Sequence, residues 1–270
     1  MEWNVQGLNE PGKVENLMNE MKNLEVDICG ISETHWKDSN DFISELPSND
    51  KFRIIYSGGL KKSRGVAFIL NQRTLNLVDS VIIVSDRIIA VRINAKPVNI
   101  FIVQCYAPTL DKSDEEREEF YEEIRKTIQM KKFHEILILM GDFNAKVGSQ
   151  RIDDIVGPHG LGTLNSAGQD LINFCCENEL FITNTWYEQK ESSRHTWTSP
   201  TGYTKNQIDY ICVIPGMNRK NLAATLGLHP PVTQKTKSIT SVLANGLGIQ
   251  LPTQKQDTTP IVEDQTTTLY

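Results

Sequence analysis

No Cys-x-x-Cys pair and no close pair of histidines occurs in these 270 residues, and the five cysteines are odd in number. That pattern excludes a disulfide framework and a structural zinc site, and it suits a reducing compartment. No segment approaches the length of a membrane span, and the N-terminus lacks a basic region followed by an apolar run. The expectation is a soluble intracellular protein, nuclear or cytoplasmic, with no membrane partner. Internal repeats are lacking too. An excess of positive charge is missing: the net charge is −6, which argues against strong non-specific adhesion to nucleic acid. All of that negative excess lies between Asp114 and Glu123, so the remainder is formally neutral. Small basic groups such as Lys61-Lys62-Ser63-Arg64 and Arg219-Lys220 could touch phosphates, although groups of this size are usually solvated surface.

What is present is enough apolar material, 39% of residues, for one sizeable domain plus a tail. Residues 1–8 read as the end of a strand, opening into a loop at Asn4. Asn9 as cap and Pro11 in the first turn start a helix on which Val14, Leu17, Met18, Met21 and Leu24 form a core stripe. Residues 26–31 form a short buried strand that delivers Glu33. Residues 52–56 and 65–70 pair as a long hairpin, followed by strands at 81–84, 88–93 and 98–105, the last ending in Tyr106-Ala107-Pro108. An acidic helix is expected over 114–130 and another from Asn165 or Ser166. Between them the unbroken run 136–140 reads as a strand buried on both faces. A strand at 180–183 and a final hairpin of 194–198 with 207–213 complete the domain, placed at 1–213. Residues 214–229 are divergent, and 230–270, rich in Thr, Gln and Ser, read as a disordered tail.

The run 136–140 ends in Gly141-Asp142-Phe143-Asn144, where glycine permits a turn, Asp142 offers a base or metal ligand, and Asn144 both donates and accepts hydrogen bonds. Alone, this is a common turn composition. Asn4, Glu33, Tyr106, Asp142, Asn144 and Asp209 all fall at strand ends, however. Such hard oxygen groups suit one divalent cation and one phosphodiester. Strands alternating with helices imply layered sheets with a site along one rim.

The stretches Trp-Asn-Val-Gln-Gly-Leu (3–8), Ile-Ser-Glu-Thr (31–34), Tyr-Ala-Pro-Thr (106–109), Gly-Asp-Phe-Asn-Ala-Lys-Val-Gly (141–148), Thr-Trp-Thr-Ser-Pro (196–200) and Gln-Ile-Asp-Tyr-Ile (207–211) occur in that order. Together they resemble the endonuclease/exonuclease/phosphatase superfamily, in particular the apurinic-endonuclease-like domain of non-LTR retrotransposons and the derived craniofacial development protein 2-like proteins. The resemblance implies an α/β (α+β) fold of two facing mixed β-sheets flanked by helices, a four-layer DNase-like sandwich. It implies hydrolysis that nicks DNA, bound weakly through its phosphate backbone, with Mg2+ or alternatively Mn2+. Asn4, Glu33, Asp142 and Asn144 would form the metal side of the site. Asp142 would orient or deprotonate water, Asn144 would fix that water or the phosphate, Tyr106 would hydrogen-bond the phosphate, and Asp209 would be the carboxylate that pairs with a histidine. Trp197 reads equally as a DNA-facing or a buried residue.

Two departures stand out against that family. Its first strand begins several residues earlier, and it ends in a Ser-Asp-His segment whose histidine contacts the phosphate. No Asp-His dipeptide occurs here, and His229 lies before a proline. His35, His134, His159 and His195 read as surface or satisfied polar residues. The expectation is a domain lacking its last strands, with Asp209 unpartnered and catalysis impaired. The alternative is a non-catalytic remnant acting as a binding module or truncated product.

Overall fold

The computed structural model describes residues 1–59, 61, 63–190, 194–199 and 201–214. The segment 215–229, with His229, and the expected tail at 230–270 lie outside the described residues. Strand β9 (Ile136–Asp142) shows how the layers assemble. Its Leu137 and Leu139 enter the apolar cluster shared with helices α2 (Asp114–Ile128) and α3 (Ser166–Glu177), whereas Ile138 and Met140 enter the cluster between two sheets. Side chains alternate along a strand, so a strand covered on both faces reads as one continuous apolar run.

The six-stranded sheet runs in the order β10 (Phe181–Ile182), β13 (Asp209–Val213), β9, β8 (Ile100–Tyr106), β7 (Ile88–Ile93) and β6 (Val78–Ser85), with β8 and β9 parallel. Facing it is a five-stranded sheet of β1 (Glu2–Asn4), β2 (Ile28–Ser32), β5 (Val66–Leu70), β4 (Lys51–Ser57) and β3 (Ser39–Glu45), with β1 and β2 parallel. Helix α1 (Lys13–Asn23) lays Leu17, Met18 and Met21 on the outer face of the smaller sheet. The result is helix, sheet, sheet, helix. Each fully buried Leu, Ile or Phe side chain contributes roughly 1.5–3 kcal/mol, so the central cluster, with Phe68, Ile102 and Met140, holds the sheets face to face.

Several expectations change in detail. Helix α1 starts after Gly12, at φ 83°, without a side-chain cap, and the Asn9 amide donates instead to the His35 carbonyl at 3.1 Å. Strand β3 escapes sequence detection because nearly all of it is exposed and it pairs only with β4. The terminal hairpin divides: β11 (Trp197–Thr198) pairs with β12 (Lys205–Asn206), while β13 inserts between β9 and β10. Its Tyr210 and Cys212 pack toward α3 and its Ile211 and Val213 toward the facing sheet, so only a central position buries both faces.

The Tyr210 hydroxyl, fully buried, donates to the Gln207 carbonyl at 2.7 Å and accepts from the Val147 amide at 3.3 Å. Tyr210→Phe is expected to cost about 1–3 kcal/mol, because it leaves buried backbone groups unpaired. Urea unfolding monitored by circular dichroism measures that loss.

Candidate active site

Strand register builds the site. Tyr106 stands opposite Asp142 in the β8–β9 pair, and Asp209 stands opposite Asp142 in the β9–β13 pair, so three candidate side chains occupy one row. In the facing sheet Asn4 stands opposite Ser32, immediately before Glu33. The Asn4 amide donates to Glu33 Oε1 at 2.7 Å and to Asp142 Oδ2 at 2.9 Å, tying the rims of the two sheets together. Tyr106 donates its hydroxyl hydrogen to Glu33 Oε1 at 2.8 Å, and the Asn144 backbone amide donates to Asp142 Oδ1 at 2.9 Å. Asn4, Glu33, Tyr106, Asp142 and Asn144 line one cleft, with Asp209 beside Asp142.

Gly141 does not turn the chain there, since β9 continues through it to Asp142. Its role is close approach: a Cβ would collide with the Cys105 carbonyl of β8. The bends come instead from Gln6, Glu33 and Asn144, non-glycine residues at φ 48°, 58° and 48°. Such conformations cost of order 1–3 kcal/mol each and persist where surrounding bonds over-determine them. Asn144 illustrates this, because its side-chain amide also donates to the Ala107 carbonyl at 3.0 Å.

Asp209 meets no histidine among the described residues; its neighbour is the carboxyl of Glu2. Glu2 Oε1 accepts from the Ser32 hydroxyl at 2.7 Å, and the Glu2 carboxyl lies against that of Asp209. Two carboxyls in contact retain a proton between them, and burial followed by the charge of Asp209 pushes Glu2 well above the ordinary carboxylate range. Burial also raises Asp209. Asp142 is pushed up to about 8, by burial first and the charge of Asp209 second. The Tyr106 phenol is raised by burial and by its bond to Glu33. A period-two reading would have found Glu2, since it shares a face of β1 with Asn4.

Two further side chains were missed. His35, read as a surface or satisfied polar residue, places Nε2 3.4 Å from Glu33 Oε2 because Glu33 and His35 both take left-handed backbone conformations, at φ 58°. Arg87 donates to the Tyr106 carbonyl at 3.0 Å and lies 5.3 Å from the centre of its ring, holding Tyr106 from behind. Trp197, half-buried, lines the cleft.

The Endonuclease/Exonuclease/phosphatase family model matches residues 1–235. The chain belongs to this family. It is 42% identical over 210 residues to craniofacial development protein 2 of Bos taurus, covering 77% of this chain and 34% of the relative. The chain thus spans about a third of the length of that curated protein. A 3' phosphatase, NExo, from Neisseria, solved bound to a product DNA hairpin, superposes with TM-score 0.56 at 18% identity, over 80% of this chain and 86% of that one. The endonuclease domain of TRAS1, a telomere-specific non-LTR retrotransposon, gives TM-score 0.50 at 18% identity, over 80% and 84%. These likenesses show the fold, the DNase-like sandwich of two mixed sheets flanked by helices.

Enzymes of the Endonuclease/Exonuclease/phosphatase family generally use divalent metal ions. In this member Glu2, Glu33, Asp142 and Asp209 crowd one rim, and no Lys or Arg among the described residues bonds to them. Such an acidic cluster, in which burial first and the charge of Asp209 second raise Asp142, fits a cation. No three His, Cys, Asp or Glu side chains among the described residues converge as a ready-made cage. No helix among the described residues is long and apolar enough to cross a membrane.

Proposed function

We propose that residues 1–213 form a metal-dependent phosphodiester hydrolase of retrotransposon origin, a DNA endonuclease with slow turnover, acting in the nucleus or cytoplasm. The observation that carries this reading is the Asn4 bridge between Glu33 and Asp142, which joins a metal-binding carboxylate and a candidate base across two sheets. Glu33, with the Asn4 carbonyl oxygen, would hold Mg2+, or alternatively Mn2+, on the rim that Asp142 and Asn144 complete. Bound there, the ion would neutralise charge on the phosphoryl and leaving oxygens. The fold shared with a phosphatase solved on a DNA hairpin and with a retrotransposon endonuclease domain supports DNA as substrate.

Asp142 takes the proton of the attacking water; burial brings its carboxyl near neutral pH, where a general base works best. Asn144 fixes that carboxylate through its backbone amide while its own side chain is anchored on Ala107. Tyr106 exchanges its bond to Glu33 for one to a phosphate oxygen. Asp209, held by Glu2, keeps Asp142 basic through its charge. Slow turnover follows because no histidine among the described residues bonds to Asp209, and losing one donor to the transition state costs about 10²–10³ in rate.

A second reading, a non-catalytic DNA-binding module, is favoured by one observation: the Tyr106 hydroxyl and the Asn144 amide both donate to protein groups. Nicking of supercoiled plasmid separates the two. Slow nicking in Mg2+, abolished by EDTA and reduced at least ~10²-fold by Glu33→Ala, supports the enzyme. DNA binding without nicking leaves the module, and nicking unaffected by Glu33→Ala overturns the assignment of Glu33.

A further inference from the structure

We infer that Lys146 is a phosphate anchor, holding a DNA backbone phosphate next to the one attacked; this rests on the hydrolase reading above. Lys146 is the one Lys or Arg lining the cleft among the described residues, on a wall with Asn144 and Asn165, while Glu33 and Asp142 stand in the same cleft. Its ammonium group has no carboxylate partner among the described residues. Two arginines near the cleft are committed elsewhere: Arg87 to Tyr106 and Glu116, Arg64 to Asp86 and Glu116. A cleft lined by acids repels a polyanion everywhere except where a bound metal or an unpaired cation offsets them. Lys146 is that cation.

Its backbone is held rigidly, as an anchor requires. The Lys146 amide donates to Asn165 Oδ1 at 3.0 Å, and the Asn165 amide returns a bond to the Lys146 carbonyl at 3.1 Å. Asn165 Oδ1 also accepts from Gly168 at 2.8 Å, which caps α3. A Cβ at Gly168 would collide with the Lys146 carbonyl, so glycine in the first turn of α3 lets the helix press against this residue. Asn165 lines the same cleft, its side-chain oxygen occupied by two backbone amides. A point-charge ammonium and an amide suit a diester phosphate without reading the bases.

The competing view is a solvated lysine that happens to border the cleft. Salt dependence of DNA binding distinguishes the two, since each neutralised phosphate adds about 0.9 to the slope of log affinity against log salt. The full chain, K146M and K146R are titrated with a fluorescent DNA duplex in EDTA across a KCl series, after thermal melts confirm folding. K146M is expected to bind several-fold more weakly with the slope reduced by about one, whereas K146R keeps the slope. In Mg2+, K146M should raise KM for plasmid more than it lowers kcat. If K146M does not fold, K146Q carries the same comparison. A K146M slope equal to that of the full chain overturns the anchor and leaves the hydrolase reading standing. A duplex that the unaltered chain does not bind in EDTA at any salt overturns the anchor, while plasmid nicking in Mg2+ decides the hydrolase reading separately.

Discussion

Asp142→Asn is expected to stabilise the metal-free protein at pH 8 while lowering plasmid nicking by about 10²–10³, within the range for loss of a general base. The Asp142 carboxyl moves from an ordinary 3.8 to about 8 in the folded protein. Between those pH values the folded state holds a proton that the unfolded chain has released. The stability linked to this group is therefore complete below about pH 4 and is lost as pH rises through about 8. At about 1.4 kcal/mol per pH unit the effect amounts to several kcal/mol, against about 1 kcal/mol for a hydrogen bond weakened by the amide. Thermal melts in EDTA from pH 4 to 8 should show the unaltered chain losing about 5–10 °C and the variant losing much less. Equal slopes for both proteins would mean that Asp142 is not the buried acid of this site.

Gly141→Ala is expected to disrupt the fold severely. Its Cβ would meet the Cys105 carbonyl oxygen and lie 2.9 Å from the Cys105 Sγ, so the pairing of β8 with β9 would have to give way. A backbone atom cannot swing aside as a flexible side chain can, and a cost of about 4 kcal/mol or more is expected. Because β9 carries Asp142 and pairs through Tyr106, the site would fail with the sheet. Gly162→Ala is the matched control: its added Cβ meets nothing within 4 Å, and only its left-handed backbone, φ 81°, is strained, at about 1–2 kcal/mol. Denaturant midpoints for the two variants measure the difference, and comparable losses would refute the close-approach argument.

Local patterns carried much of the architecture. The run at 136–140 lies inside β9, because only a central strand tolerates apolar residues on both faces. The acidic stretch forms the N-terminal half of α2, where Ser113 caps the helix and its first-turn acids meet the dipole. Each of the six candidate site residues stands at or beside the end of a strand. Elements without an apolar rhythm stayed hidden. Strand β3, almost wholly exposed, is the example; the strand end at Asn4 was legible, and only Glu2 on the same face of β1 was passed over.

The sequence by itself determined the alternating elements, the family motifs and the kinds of side chain available to the site, because periodicity and residue chemistry are local properties. Only the tertiary structure decided which of them meet. Register across β8, β9 and β13 sets Tyr106, Asp142 and Asp209 in one row, and the packing of two sheets brings Asn4 within reach of both Glu33 and Asp142. The pairing of Glu2 with Asp209 and the upward shift of Asp142 belong to the same level. Burial and contact between groups 138 residues apart are properties of the folded chain, and no local window of sequence contains them.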